Sequence, residues 1–220
     1  MTAAARCVVA CLLLAAAPAA ALEPAIGRVV RADGGGCTGT LVAPDRVLTA
    51  AHCVLDDETG KPLPPAKLRF RAGAAGARER AAAPVAGVSV ASAFAYRPEP
   101  SRLRHLRCDL ARLRLTRRLE VTPLAIRADP DPDASFDAVG YPGYAPGYQR
   151  KQYGCTRSDR AAPAGLWPTT CFAVPGVSGA PLLTPTRPPR VLGLLVARWQ
   201  RISVAVPLAA ATGCGIRIAE

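Results

Sequence analysis

The 220-residue chain is 50% apolar and only 20% charged, which excludes an intrinsically disordered protein and allows one large β domain or two smaller lobes. Its formal net charge is +12, almost all of it from arginine, and only 5% of its residues are aromatic. Arginine, alanine and proline are abundant along the whole chain, so the charge reflects a compositional bias. Neither the charge nor the few aromatic residues predict a nucleic-acid-binding protein.

Residues 1–21 have the features of a secretory signal peptide. Arg6 supplies the positive start, residues 7–17 form an apolar run, and residues 19–21 are small alanines suited to cleavage. The run is shorter than the roughly 20 apolar residues that span a bilayer. We therefore expect an exported protein, secreted or periplasmic, with no membrane association once the signal peptide is removed.

Six cysteines follow the signal peptide. An even number in an exported chain predicts three disulfides, and six cysteines permit fifteen pairings. No two of them have CxxC spacing and the chain has only two histidines, so we expect neither a bound metal nor a cofactor. The six are Cys37, Cys53, Cys108, Cys155, Cys171 and Cys214.

Proline and glycine separate short apolar runs, which is typical of many short strands and turns. Strands are predicted in the first half at residues 25–31, 38–42, 47–49, 67–71, 85–90 and 109–115. The second half has predicted strands at 136–142, 176–183 and 191–197, and a short helix around 207–213. Between the halves, the Pro/Asp-rich residues 127–135 are predicted to be a solvated connector, because they lack the glycine and glutamate of a calcium loop.

The strand at 109–115 (DLARLRL) has the clearest alternation. It places Asp109 on the same face as Ala111, Leu113 and Leu115. An acid at the head of an apolar face is costly to bury unless a partner stabilises it. Asp109 is therefore a candidate functional residue, and the competing aspartates lie in polar loops or at a strand end: Asp56, Asp57 and Asp137.

Three short motifs occur in a fixed order: TAAHC at 49–53, CDLARLRL at 108–115 and GVSGAP at 176–181. Each is ordinary alone, but together they supply His52, Asp109 and Ser178. A serine hydroxyl needs a base to attack, histidine with a pKa of ~6.5 can accept and return the proton, and a buried carboxylate orients that histidine. Gly176 permits a tight turn that aims its own N–H and that of Ser178 at one oxyanion.

These motifs resemble those of trypsin/chymotrypsin-like serine proteases, peptidase family S1 in the broad sense, and especially its bacterial secreted members. The resemblance covers roughly residues 25–210. It implies an all-β fold of two six-stranded antiparallel β-barrels, with the active site in the cleft between them and a short C-terminal helix. The first barrel would occupy residues 22–126 and the second barrel, with the C-terminal segment, residues 136–220.

The resemblance also implies a serine endopeptidase that acts on protein or peptide substrates through an acyl-enzyme. Ser178 would be the nucleophile, His52 the general base and acid, and Asp109 the orienting carboxylate. The backbone N–H groups of Gly176 and Ser178 would form the oxyanion hole. The disulfides implied are Cys37–Cys53 and Cys155–Cys171, which leaves Cys108–Cys214, and we expect a monomer.

The specificity pocket is expected at Phe172, Val196 and Arg198. Phe172 occupies the position where trypsin has an aspartate that selects basic side chains, so cleavage after arginine or lysine is not expected. The pocket histidine of glutamyl endopeptidases is missing. Arg198 on the pocket wall selects an acidic side chain, is solvated or is paired with another group, and the solvated alternative is favoured.

Val177 departs from the family pattern. Many members have an aspartate there, which receives the new amino terminus after zymogen cleavage, and a valine cannot do so. We therefore expect activity without an activating protease. The alternative function is a secreted non-catalytic homologue that acts as a binding protein, although this chain retains all three residues of the triad. His105, the other histidine, lies in an arginine-rich segment and is expected at the surface.

Overall fold

The computed structural model describes residues 23–96, 103–127, 135–160, 165–199 and 202–218. The predicted signal peptide at 1–21 and all but the ends of the predicted connector at 127–135 lie outside the described residues. Within those residues the structure consists of β-strands and short 3-10 helices, which confirms the all-β class. None of the described helices has the length and apolar character that a bilayer crossing demands.

The first half of the chain forms a closed antiparallel barrel of six strands in the order β1-β2-β3-β6-β5-β4. Alternation determines which side chains face its core: in β6, Ala111, Leu113 and Leu115 are buried, while Arg112 and Arg114 face outwards. The strands β1 to β6 are Ile26–Arg31, Gly36–Ala43, Arg46–Thr49, Leu68–Ala72, Ala81–Val90 and Ala111–Leu115.

The second half forms a six-stranded antiparallel sheet in the order β8-β7-β10-β11-β12-β9. The chain just after β8 pairs with β9 through an Arg157–Thr169 bridge and the Cys155–Cys171 disulfide, which brings the two edges together into a barrel-like sheet. The strands β7 to β12 are Phe136–Gly140, Arg150–Cys155, Trp167–Thr169, Pro181–Leu183, Val191–Trp199 and Ile202–Pro207.

The structure refines several sequence predictions. Each strand predicted in the first half is present, although β6 begins at Ala111, so that Asp109 lies in the bend before the strand. In the second half, β10 covers only the end of the predicted strand at 176–183, because residues 176–180 form a loop. Strands β8, β9 and β12 were not predicted. The C-terminal helix is two 3-10 turns, Leu208–Ala210 and Thr212–Cys214.

The two barrels are joined by buried polar contacts. The hydroxyl of Tyr141, just after β7, lies 3.2 Å from the carbonyl of Ile26 and 3.1 Å from that of Ala74 in the first barrel, so its one proton can bond either of them. Burial raises the pKa of Tyr141 to about 12, although its hydrogen bonds with Gln149 and Ala74 oppose the shift. A parallel bridge between Ile126 and Val191 makes a second connection. These contacts hold the second barrel against the first.

Candidate active site

The histidine motif and the aspartate motif meet because of strand pairing. Strand β3 ends at Thr49, which is paired with Ala111 at the start of the antiparallel strand β6. The chain leaving β3 therefore lies beside the chain entering β6. The 3-10 helix Ala51–Val54 carries His52, and Asp109 precedes β6.

The side chains of His52 and Asp109 are in direct contact. His52 Nδ1 lies 2.6 Å from Asp109 Oδ2, and the backbone N–H of His52 donates to Asp109 Oδ1 at 2.9 Å. Asp109 is completely buried, whereas 32% of the His52 side chain is exposed. A carboxylate can only accept, so the proton of the neutral imidazole resides on Nδ1. The lone pair of Nε2 is then available as a base.

The pKa of His52 reflects opposing effects. Burial alone would lower it, because a charged imidazolium is poorly solvated in the protein. The charge of Asp109, its hydrogen bond to the ring and the more distant charge of Asp57 act in the other direction. The net result is a pKa of His52 above its ordinary value, as suits a base that must carry a proton during a reaction.

Disulfides flank both residues. Cys53, next to His52, is bonded to Cys37 on β2, and Cys108, next to Asp109, is bonded to Cys214. The three bridges in the structure are the pairs that the family resemblance implies. Cys37, His52 and Cys53 form the one group of potential metal ligands among the described residues. The two sulfurs are bonded to each other, so neither is a thiolate that could bind a metal.

The loop that carries Ser178 docks on the first barrel through Thr38 of β2. The backbone N–H of Thr38 donates to Ser178 O at 2.9 Å, and its hydroxyl donates to Gly176 O at 2.9 Å. The same hydroxyl accepts the N–H of Tyr141 at 3.0 Å. Thr38 is fully buried, and its carbonyl accepts the hydroxyl of Thr49 on β3. One threonine thus links the serine loop, β7 and the strand that leads to His52.

Gly179 brings the serine loop and the histidine segment into close approach. A Cβ at this position would lie 2.3 Å from Thr38 O, 2.5 Å from Thr49 Oγ1 and 3.0 Å from Ala50 N. Gly179 also has φ of +79°, which side chains rarely adopt. The residue after Ser178 must therefore be glycine for the loop to pack against the segment just before His52.

Among the residues that the structure describes, the turn before Ser178 leaves two backbone donors without a protein acceptor, the N–H groups of Gly176 and Ser178. Gly143 N–H donates to Pro175 O at 2.7 Å, and in a trans peptide the N–H of Gly176 then points the opposite way. In the described part of the chain, neither Gly176 N–H nor Ser178 N–H donates to a backbone carbonyl. Gly176 has φ of +89°, and a Cβ there would lie 2.5 Å from Tyr141 O. This turn can bind an anion between two N–H groups.

Ser178 is half-buried and lines an open cavity of about 250 Å3. Across the residues described, its hydroxyl makes no direct hydrogen bond to the ring of His52; in unliganded sites such bonds often tighten only with substrate. The other lining residues are Ala173, Val174, Pro175, Leu195, Ala197 and Arg198.

The predicted pocket residues differ in their placement. Arg198 lines the cavity, but Val196 does not: a β-bulge between Leu195 and Ala197 directs Val196 into the core, where it is 3% exposed. Phe172 is 58% exposed and lines a different cavity, which has only Val174 in common with the cavity of Ser178. Leu195 and Ala197 replace Val196 in the lining.

Val177 lies in apolar surroundings and not in a polar site that could bind a charged amino terminus. Val177 is 8% exposed and belongs to the apolar core of the second barrel. The N-terminal segment is instead bound by a neutral side chain: Gln149 Oε1 accepts the N–H of Glu23, and Gln149 Nε2 donates to the carbonyls of Glu23 and Ile26. Gln149 Nε2 also lies 3.0 Å from the hydroxyl of Tyr141, which competes for its two N–H donors.

The remaining titratable candidates lie apart from this contact. His105 is half-buried in the 3-10 helix Leu103–Cys108. Asp56 and Asp57 are in the loop after His52, where Asp57 forms an ion pair with Arg31. Asp137 accepts the N–H of Gly154. The sequence analysis missed Thr38, Tyr141 and Gln149, and no motif marks them.

Comparisons with known proteins agree with this architecture. The sequence profile of the trypsin-like peptidase domain matches residues 37–194. No curated protein matches the sequence significantly. Similar solved structures include a Glu endopeptidase, with a TM-score of 0.69, 20% identity and coverage of 87% of this chain and 88% of that chain.

Two further structures share the fold. A thermostable serine protease from an extremophilic microorganism has a TM-score of 0.68 and 18% identity, with coverage of 88% of this chain and 96% of that chain. An inactivated protease paralogue of the scabies mite has a TM-score of 0.69 and 14% identity, with coverage of 86% and 89%. At these identities the structures bear on the fold alone. The profile match, however, extends over more than half of the sequence, and the chain therefore belongs to the family of trypsin-like peptidases.

Proposed function

We propose that the chain is a secreted or periplasmic serine endopeptidase, with Ser178 as nucleophile, His52 as general base and acid, and Asp109 as orienting carboxylate. One observation carries this proposal. The contact between buried Asp109 and half-buried His52 lies in the first barrel, and the loop of Ser178 is hydrogen-bonded to the same barrel through Thr38.

The first half of the reaction forms an acyl-enzyme. Nε2 of His52 takes the proton of the Ser178 hydroxyl as Oγ attacks the carbonyl carbon of the peptide bond. Asp109 holds the imidazole in the required tautomer and stabilises the imidazolium. The imidazolium then gives its proton to the leaving amine, and the C–N bond breaks.

The negative charge of the tetrahedral intermediate needs donors that are already in place. The N–H groups of Gly176 and Ser178 have no acceptor within the described ranges of the chain and would serve this purpose, and the hydrogen bond from Gly143 to Pro175 holds one of the two peptides in orientation. In the second half of the reaction, water attacks the acyl carbon and His52 takes its proton; the bond between that carbon and Ser178 Oγ then breaks, Oγ receives the proton from His52, and the carboxylic acid product leaves.

The disulfide bonds of the structure agree with an exported protein. Three disulfides form and persist in an oxidising compartment, and the predicted signal peptide at 1–21 would direct the chain there. We further propose a monomer that acts on protein or peptide substrates without a metal or cofactor.

A fluorophosphonate probe tests the proposal, because it reacts only with an activated serine. Full-length protein exported into an oxidising compartment should be labelled at Ser178, and it should cleave a mixed peptide library. The Ser178→Ala variant should lose both activities, whereas Ser89→Ala, which removes an exposed hydroxyl from β5, should retain both. Folded, disulfide-bonded protein that neither reacts nor cleaves would identify a non-catalytic homologue.

A further inference from the structure

The cavity beside Ser178 combines an apolar lining with a single charge. Five of its seven lining residues are apolar, and apart from the hydroxyl of Ser178 the remaining one is the cation Arg198. No acidic residue lines it among the residues that the structure describes. A side chain entering this cavity would leave water and meet one guanidinium.

Arg198 has no ion-pair partner among the described residues. It lies on β11 just after the bulge, is exposed, and stacks its guanidinium on the ring of Phe172 at 5.7 Å from the centroid. The ring contact orients the guanidinium without neutralising its charge. Arg198 therefore retains its five N–H donors for an anion.

Two hydrogen bonds fix the walls of the cavity relative to Arg198. On β12, Ser203 is the strand partner of Arg198, and its hydroxyl accepts the N–H of Ala173 at 2.8 Å. The neighbouring N–H of Phe172 donates to Gln152 Oε1 at 2.6 Å. Arg198 and the cavity wall at Ala173 are thus connected through the buried Ser203.

We propose that Arg198 selects an aspartate or glutamate side chain at the substrate residue whose carbonyl Ser178 attacks. This inference rests on the proposed function, because the residue acylated on Ser178 Oγ places its side chain in the nearest cavity. A carboxylate matches the planar fork of a guanidinium, and apolar walls strengthen the attraction. A lysine or arginine side chain is repelled by the same charge.

A competing role for Arg198 makes a different prediction. If Arg198, stacked on Phe172, only closes the cavity, its removal should increase the cleavage of every substrate with a long side chain. Selection by charge instead predicts a loss confined to acidic substrates. The two roles are therefore distinguished by one series of peptides.

The test uses matched peptides that differ only at the residue before the scissile bond: glutamate, glutamine, leucine or lysine. For the wild-type protein, we expect kcat/KM for the glutamate peptide to exceed that for the glutamine peptide by about tenfold or more. Arg198→Gln should remove this preference by lowering kcat/KM for the glutamate peptide to the level of the glutamine peptide. Arg198→Glu should make the lysine peptide the best of the four.

The matched control is Arg190→Gln, which removes the same charge from an exposed position just before β11, outside the cavity of Ser178. It should leave the preference intact. Equal cleavage of the glutamate and glutamine peptides by protein that is labelled at Ser178 would overturn the inference but not the proposed function. Faster cleavage of all peptides by Arg198→Gln would overturn it in favour of simple closure. Protein with neither labelling nor cleavage would overturn both.

Discussion

The two halves of the candidate site are held by different kinds of interaction. On the histidine side, a buried carboxylate contacts His52 directly, and disulfides begin at the residues next to both members of the pair. On the serine side, the loop is held by neutral hydrogen bonds to Thr38, by the apolar anchor Val177 and by glycines with positive φ. No ion pair holds the serine loop within the described residues.

This difference follows the charge that each half must handle. The histidine side has to stabilise a cation during the reaction, so a permanent anion beside it is useful. The serine side meets negative charge only in the transition state, and free N–H groups held by neutral contacts suit that purpose. Substitutions on the histidine side should therefore alter the protonation of His52. Substitutions on the serine side should alter the placement of the backbone N–H donors.

The largest expected effect comes from the charged side. Asp109→Asn keeps the size of the side chain but removes its charge, and an amide can also stabilise the wrong tautomer of His52. We expect kcat/KM to fall by about 10⁴-fold. The variant should remain folded, which a cooperative thermal unfolding transition would show. Steady-state kinetics on a cleaved peptide measure the loss. A decrease of less than tenfold would mean that Asp109 does not orient the base.

A smaller effect is expected on the neutral side. Thr38→Val removes the hydroxyl that binds Gly176 O and Tyr141 N–H, so the turn with the two free N–H groups loses a support. We expect kcat to fall by about ten- to a hundredfold with little change in KM. The midpoint of the pH profile of kcat/KM should stay the same, because the substitution leaves the contact between His52 and Asp109 unchanged.

Thr40 supplies the matched control for this variant. It lies two residues along β2 and is equally buried, but its hydroxyl has no hydrogen-bond partner in the part of the chain that the structure describes. Thr40→Val should leave kcat unchanged and should not lower the unfolding temperature, because no hydrogen bond is lost. If both valine variants lose activity equally, the specific role of Thr38 is contradicted.

The smallest effect concerns pH. Activity requires neutral His52, and its pKa is raised above the ordinary value of ~6.5, so kcat/KM should increase with pH through a midpoint above that value. In Asp109→Asn the midpoint should move to lower pH, because the opposing effect of burial remains. A pH profile of kcat/KM for both proteins measures the shift. A wild-type midpoint below ~6.5 would contradict the described pairing.

The first barrel was more predictable from sequence than the second. Alternation identifies strands with one buried face, such as β6. Strand β8 is mostly exposed, and β9 is only three residues long with a proline, so neither has a clear pattern. All six residues of β12 are buried, which removes the alternation altogether.

The residues of the candidate triad were predictable because they lie in recognisable motifs. Thr38 was not, because its role depends on a contact with Gly176, which is 138 residues away in sequence. Val196 was expected in the specificity pocket together with Phe172 and Arg198, and alternation along β11 would have placed it on the same face as Arg198. The bulge between Leu195 and Ala197 interrupts that alternation, and no local sequence signal marks it.

The bridge between Cys108 and Cys214 has a consequence for the durability of the molecule. A single backbone nick between Arg127 and Ser135 would place one of these cysteines on each fragment. The fragment with His52 and Asp109 and the fragment with Ser178 would then remain covalently joined. They would migrate separately on a denaturing gel only after a thiol reductant is added.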